Sequence, residues 1–454
     1  MMKPELLSPA GTMKNLKYAF AYGADAVYAG QPRYSLRVRE NDFNLANLDE
    51  GIQLAHSLGK KFYVASNIAP HNAKIKTYMK DIEPVINMKP DALIMSDPGL
   101  IMMVKDKWPD TEVHLSVQAN VVNYAAVKFW HRQGISRIIL SRELSLDEIR
   151  EIRQECPEME IEVFVHGALC IAYSGRCLLS GYINHRDPNQ GTCTNACRWK
   201  YKSIEAKEDH GGNVIPVHAE PGTWPPQKQP EAPTLGDGEP TDRIYLLQEE
   251  GRPDQYMAAY EDEHGTYIMN SKDLRAIHHV HQLTEMGVHS LKIEGRTKSY
   301  YYVARTAQAY RRAIDDAAAG KPFDINLMDT LEKLASRGYT EGFLRRHVHD
   351  EYQNYESGNS TSDKQIFAGE VIEFDRAKNE MVIDVKNRFA IGDQLELMTP
   401  QGNYTFMLEQ MENRKGESVE VAPGSGHFVR VPVPADIPNM DYALIMRNLS
   451  NAEI

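Results

Sequence analysis

Four of the chain's five cysteines fall close together, as Cys170-x6-Cys177-x15-Cys193-x3-Cys197. Four thiolates in one short stretch suit either tetrahedral zinc or a cubane iron–sulfur cluster. Structural zinc usually takes two short knuckles, with two to four residues between the cysteines of each. Only Cys193 and Cys197 have that form, so the spacing favours a 4Fe–4S cluster over zinc. A cysteine nucleophile is the competing chemistry, because it needs a low-pKa thiolate beside a histidine. Cys170 lies four residues from His166. Four clustered cysteines are better used as ligands, and a ligated thiolate is not available to attack. Cys156 follows Glu155 near a helix end and has no cysteine close by, so it reads as a bystander.

A second set of candidates stands where apolar runs give way to polar residues. Arg142 and Arg296 are suited to clamp a carboxylate or phosphate with two parallel bonds. Glu294 would act as acid or base, or would pair with one of those arginines. His166 would donate a proton or support the metal site from behind. Two stretches interleave cations with aromatic rings, as single-stranded RNA recognition requires. One is Arg198-Trp199-Lys200-Tyr201-Lys202, directly after the last cysteine. The other runs from Arg296 through Lys298 and Tyr300–Tyr302 to Arg305, Tyr310, Arg311 and Arg312. In the second, Tyr302, Tyr310 and Arg305 also fit one packing face of a helix.

The elements that must hold these residues alternate. Apolar runs at Glu5–Ser8, Ala26–Ala29, Phe62–Ala65, Ala92–Met95, Val113–Ser116, Arg137–Leu140 and Ile161–Phe164 mostly precede helical patterns. Ser290–Ile293 is an eighth run, followed by a helical stretch from Ser299 to Ala319. Strand–helix alternation implies parallel strands joined by crossover helices. Eight such units predict a (β/α)8 TIM-like barrel, with a doubly wound open sheet as the alternative. Functional residues of such barrels stand at the carboxyl ends of the strands. The seventh unit is interrupted by a cysteine-containing insertion over 170–265, with hairpin-like segments near 243–248 and 256–268. Helical periodicity is expected to resume at Lys272 and run to about Met286. The barrel is assigned to 1–345 and a linker to 346–365. Alternating segments separated by turns then predict a small antiparallel β-barrel-like domain over 366–454.

The stretch Glu162–Ser180 resembles the signature of the collagenase-like peptidase family, E-x-F-x-x-G-(S/A)-(aliphatic)-C-x4-G-x-C-x-(aliphatic)-S. Glu162, Phe164, Gly167, Ala168, Leu169, Cys170, Gly175, Cys177, Leu179 and Ser180 meet every fixed position. Glu5–Gly11, Tyr267–Asp273, Lys292–Arg296 and Arg337–Gly342 look like further blocks of the family. The full-length resemblance implies an RNA-modifying factor rather than a protease. It implies prephenate-dependent formation of 5-hydroxyuridine at wobble position 34, in the anticodon loop of tRNA. The co-substrate would be prephenate or a compound derived from it. The resemblance also implies a 4Fe–4S cluster on Cys170, Cys177, Cys193 and Cys197, and an electron donor or partner protein is a further expectation. The alternatives are a peptidase and a non-catalytic iron–sulfur partner protein. No H-E-x-x-H, G-x-S-x-G or P-loop pattern supports a hydrolase.

Composition sets outer limits. Among 454 residues, 42% are hydrophobic and 25% charged, as in ordinary globular proteins. The net charge of −12 excludes a protein that holds nucleic acid by an overall basic surface, so DNA is not an expected partner. The start has no basic-then-apolar secretory pattern, and no apolar run approaches the ~18 residues of a spanning helix. A cytoplasmic protein without a membrane partner is the expectation.

Overall fold

The computed structural model describes residues 2–36, 42–169, 172–177, 187–191, 272–336, 338–345, 364–433, 437 and 439–449. It also describes backbone strands at 201–208, 214–216, 244–249, 256–262 and 265–266. Seven parallel strands come first: β1 (Glu5–Pro9), β2 (Ala26–Gly30), β3 (Lys61–Ser66), β4 (Ala92–Met95), β5 (Val113–Leu115), β6 (Arg137–Ile139) and β7 (Glu160–Ala168). Strands β8 (Tyr201–Glu208), β9 (Val214–Pro216), β10 (Ile244–Glu249), β11 (Tyr256–Asp262) and β12 (Gly265–Thr266) then form an antiparallel sheet ordered β12-β11-β10-β8-β9. After β13 (Asp273–Arg275), strand β14 (Ser290–Ile293) pairs in parallel with both β1 and β7 and closes an eight-stranded barrel. Closure decides against the open sheet. The strands are short and buried, β2 along its whole length, because helices cover their outer side.

Local chemistry starts the helices where the barrel needs them. Thr12 accepts from the Asn15 amide at the start of α1 (Met13–Ala21), and Asn44 caps α2 (Leu45–Ser57). Helix α3 (Asn72–Asn87) follows β3. Asp97 caps α4 (Pro98–Lys107), whose first residue is the proline that needs no amide partner there. Asn123 caps α5 (Tyr124–Arg132), and Ser145 with Glu148 forms a reciprocal capping box at α6 (Leu146–Glu155).

One expected helix begins later than its periodicity suggests. Asp273–Arg275 is strand β13, antiparallel to the tip of β7 and parallel to β15 (Tyr339–Thr340). β7 runs nine residues, well past its neighbour β6, and its tip offers backbone groups that a nearby segment must satisfy. A single 3-10 turn at Ile277–His279 then leads into α7 (Val280–Glu285). Helix α8 (Tyr300–Ala318), capped by Ser299, follows β14 as expected, and α9 (Asn326–Glu332) comes next.

Beyond 364 the chain is an antiparallel β-domain. Its strands are β16 (Gln365–Asp375), β17 (Glu380–Val385), β18 (Phe389–Ala390), β19 (Gln394–Thr399), β20 (Gly402–Met407), β21 (Glu412–Asn413), β22 (Val421–Ala422), β23 (Phe428–Pro432) and β24 (Leu444–Asn448). The main sheet runs β20-β19-β24-β16-β17-β23-β21. Most of the expected linker lies outside the described residues. The domain is fastened to α8 by buried charge. Arg305, fully buried, donates to Glu396 at 2.6 Å and to Gln365 at 3.0 Å, and Lys333 reaches the other Glu396 oxygen at 2.7 Å. Burial pushes the Glu396 carboxyl up, but Arg305 and Lys333 outweigh it and hold it at about 2. Among the described residues, no helix is long and apolar enough to cross a membrane.

Candidate active site at the barrel mouth

Inward-facing residues divide the barrel interior into two levels. Near the amino ends of the strands, Arg137 contacts Glu5 at 2.6 Å, Glu160 at 2.7 Å and Glu162 at 3.3 Å. Lys292 reaches the other oxygen of Glu162 at 2.9 Å, and the Tyr63 hydroxyl donates to Glu5 at 2.8 Å. The signature residue Glu162 is thus the acidic centre of a buried ion network. Lys292 of the Lys292–Arg296 block is its partner, 130 residues on. Burial lowers the Lys292 ammonium, and Glu162 opposes that shift.

Above this floor, the carboxyl ends of β2, β6, β7 and β14 bring Tyr28, Arg142, Phe164, Glu294 and Arg296 together. The Tyr28 hydroxyl donates to the Ile293 carbonyl at 3.0 Å and to Glu294 at 3.3 Å. Arg142 donates to the Ala168 carbonyl at 3.0 Å, stands 3.6 Å from Glu294 and lies over the Phe164 ring at 3.9 Å. Its Nε is buried without a hydrogen-bond partner. Arg296 donates to the Ser35 hydroxyl at 2.6 Å and the Leu36 carbonyl at 2.7 Å, both neutral oxygens. Its guanidinium lies 5.6 Å from the Tyr28 ring centre. The carbonyl of Arg296 presses on Gly11, where an added Cβ would approach it to 1.9 Å. Glycine in the Glu5–Gly11 block is therefore a packing requirement of this corner.

Two guanidiniums and one carboxylate around a phenol make a site that favours anions. Arginine forks present paired donors to carboxylate or phosphate. Burial and the Glu294 charge push the Tyr28 phenol well above its ordinary range, so it remains a proton donor. Three of the four candidates, Arg142, Glu294 and Arg296, converge here. His166 sits elsewhere. Its ring lies in the layer outside the barrel wall, near Tyr302, Tyr310 and Tyr339, and the Tyr310 hydroxyl is 3.3 Å from Nδ1. Burial drives its imidazole down to about 3, against the pull of Asp273, so it is neutral around pH 7. Gly167, at φ +103°, follows it, and an added Cβ there would meet the Glu294 carbonyl at 2.4 Å. This close approach of β7 to β14 accompanies a shift in their register at Lys292/Ile293.

The cysteine-bearing segment rests on the same mouth. In residues 172–177, the Tyr173 carbonyl accepts from Asn120 at 3.3 Å and Arg176 donates to the Gln118 carbonyl at 3.1 Å, both just beyond β5. Ser174 has left-handed backbone, φ +39°. Its amide donates to Glu143 at 2.6 Å, its hydroxyl donates to the same carboxylate, and the Ser174 hydroxyl oxygen accepts from the Arg142 amide at 3.2 Å. In residues 187–191, the Asn189 carbonyl accepts from the Ala69 amide at 2.9 Å, just beyond β3. The Asn189 side chain donates to the Cys177 carbonyl at 2.9 Å, tying the two pieces together. Cys177 is buried in this roof. Cys170, Cys193 and Cys197 lie outside the described residues, as do Arg198, Trp199 and Lys200. Lys202 belongs to β8, described as backbone. Lys298 is half-buried beside the Tyr302 ring, 5.3 Å from its centre. Arg305, Tyr301, Tyr302 and Tyr310 are buried in the packing face of α8, so these three rings are not available to stack on a base, whereas Tyr300 is half-buried. Tyr28 escaped the sequence reading. Its only signal there is a phenol in an otherwise small and aliphatic strand.

Residues 11–354 match the profile of Peptidase family U32, and residues 363–447 match the Peptidase family U32 C-terminal domain. The "tRNA hydroxylation protein P" of Escherichia coli is 67% identical over 450 residues, covering 99% of this chain and 98% of that one. The Haemophilus influenzae protein of the same description is 67% identical over 456 residues, covering 99% and 97%. The "23S rRNA 5-hydroxycytidine C2501 synthase" of Escherichia coli is 29% identical over 445 residues, covering 95% of this chain and 57% of that protein.

Proposed function

The chain belongs to peptidase family U32, and from that premise we propose that it is an enzyme that hydroxylates tRNA. The observation that carries this reading is the match at 67% identity along essentially the whole chain to a tRNA hydroxylation protein. The finer reading is prephenate-dependent formation of 5-hydroxyuridine at wobble position 34. Replacing the C5–H bond by C5–OH removes two electrons from the ring, and side chains alone provide neither an acceptor for them nor the oxygen atom. The buried Cys177 and the chemistry of the donor set suit an iron–sulfur cluster held by Cys170, Cys177, Cys193 and Cys197. When bound, such a cluster supplies electron transfer. In this reading Arg142 and Arg296 bind the carboxylates of prephenate or a prephenate-derived compound. Glu294 and Tyr28 orient it, and the segment over the mouth keeps water from the reacting atoms. Arg198, Trp199, Lys200, Lys202 and Lys298 meet the anticodon loop, and His166 supports the wall behind the site.

The test is nucleoside mass spectrometry of tRNA from cells lacking the gene, complemented with wild type or Cys177→Ala. It is paired with iron and sulfide analysis of both proteins purified without oxygen. Wild type restores 5-hydroxyuridine and carries about four irons and four sulfides per chain, the content of one 4Fe–4S cluster. Cys177→Ala loses both. Normal 5-hydroxyuridine without the gene overturns the reaction, and zinc without sulfide overturns the cluster.

A further inference from the structure

Outside the mouth, one group of side chains has the composition of a metal site. His278 and His279 form the turn that enters α7, and Glu341 follows β15. The turn and the strand end meet because β13 pairs with both β7 and β15. His278 Nε2 lies 2.8 Å from one Glu341 oxygen, and His279 Nε2 lies 3.1 Å from the other. The two rings are 4.0 Å apart, and one ligand atom from each of the three residues falls within 4.8 Å of the others. The Nδ1 of His278 is buried without a hydrogen-bond partner, and its Nε2 faces the Glu341 carboxylate. A buried ring nitrogen with no partner of its own calls for an explanation.

We propose that His278, His279 and Glu341 bind a divalent first-row transition metal of the zinc class. Two imidazoles and one carboxylate are the protein ligands of open zinc and non-haem iron sites, which keep a position for water. Tetrahedral coordination at about 2.0–2.1 Å places neighbouring donors roughly 3.3 Å apart. The two histidine–carboxylate separations, 2.8 and 3.1 Å to different oxygens of Glu341, lie within a few tenths of an ångström of that, and the whole donor set lies within 4.8 Å. Burial lowers the pKa of both histidines, which leaves them in the neutral form that ligates. Glu341 is more exposed than either histidine, so one side of the group faces solvent. Arg345 donates to Glu341 at 2.7 Å and would hold the carboxylate from behind the metal. Such an ion would clip α7 to the segment after β15, across 62 residues of chain.

Cobalt(II) is the probe, because its absorption distinguishes nitrogen and oxygen donors from thiolates. The full-length protein is stripped with a chelator and titrated. One equivalent is expected to give visible bands without a thiolate charge-transfer band, unchanged in Cys177→Ala. Glu341→Gln and His278→Gln should each weaken it at least tenfold, and zinc should raise Tm in wild type but not in these variants. If Glu341→Gln does not fold, His278→Gln decides, since the Nδ1 makes no hydrogen bond that the fold would lose and an amide can still donate to Glu341 as the Nε2 does. Wild type that takes up no cobalt, or a nitrogen/oxygen spectrum undiminished in the folded variants, overturns the site.

Discussion

The floor and the mouth of the barrel use similar residues to opposite ends. On the floor, Arg137, Lys292, Glu5 and Glu162 pair across four strands, and Glu162 is fully buried. At the mouth, Arg142 and Glu294 are 14% and 21% exposed and 3.6 Å apart, and Arg142 keeps a buried Nε without a partner. Charge inside a barrel is therefore not the mark of a site. The floor is closed, each charge facing its complement. The mouth leaves the Arg142 Nε over, and a leftover donor is what a ligand can use.

Breaking the floor should give the largest effect, and it should fall on stability. Removing one member of a buried pair leaves the other charge stranded, at a cost of about 3–5 kcal/mol. Lys292→Met should lower the chemical-denaturation midpoint accordingly, while tRNA hydroxylation per folded molecule stays within a few-fold. A severe loss of activity in protein that remains folded would erase the division between floor and mouth. Breaking the mouth should do the reverse. Arg142→Met keeps much of the stem packed on Phe164 and removes the fork. We expect activity to fall about a hundredfold, ~2.7 kcal/mol in transition-state terms, with stability changed by less than ~1 kcal/mol. A fall in stability as large as that on the floor would mark Arg142 as structural.

The pair between Arg305 and Glu396 sharpens the contrast, because it lies at the interdomain contact and sets charge against charge as the floor does, although the Arg305 Nε too is buried without a partner. With the folded carboxyl at about 2 and its ordinary value at 4.5, Glu396 binds fewer protons in the folded chain. Its contribution is complete above pH about 4.5 and is lost as pH falls toward 2. Glu396→Gln should remove that part of the acid limb, up to about 2 kcal/mol between pH 4.5 and 3 at 1.36 kcal/mol per pH unit. Parallel stability–pH curves for the two proteins would show that the carboxylate does not act through this pairing.

How much of this was legible in the sequence follows from the range of each interaction. The eight barrel strands are short apolar runs, and burial from both sides imprints them directly on composition. Helix starts are equally local, as at Ser145 and Ser299. Arg142, Glu294 and Arg296 could be picked out because barrel strand ends share a face. Pairings across long stretches were not legible. Glu162 reads as a signature residue until Lys292 is seen beside it. Arg305 and Tyr310 resemble an RNA patch because periodicity shows that α8 has a face without saying what covers it. Asp273 reads as helical because the tip of β7 that recruits it is over 100 residues away in sequence.

Tyr28 stands on the boundary between the two levels, and its hydroxyl offers the finest cut. The ring is shared: Lys292 of the floor lies 4.3 Å from its centre and Arg296 of the mouth 5.6 Å. The hydroxyl bonds a backbone carbonyl and touches Glu294 at the mouth. Tyr28→Phe keeps both cation–ring contacts and deletes only that oxygen. A single hydrogen bond of this kind contributes about 1 kcal/mol, so the loss of stability should be no larger. If the hydroxyl only braces β2 against β14, activity follows stability and changes less than about threefold. If it orients Glu294 toward a bound anion, activity falls by up to about tenfold, roughly 1.4 kcal/mol, at unchanged expression and fold. Restoring the rate by raising the concentration of the proposed co-substrate would then place the loss in binding. A loss that persists at saturation would place it in the chemical step, and the boundary between floor and mouth would pass below Tyr28 rather than through it.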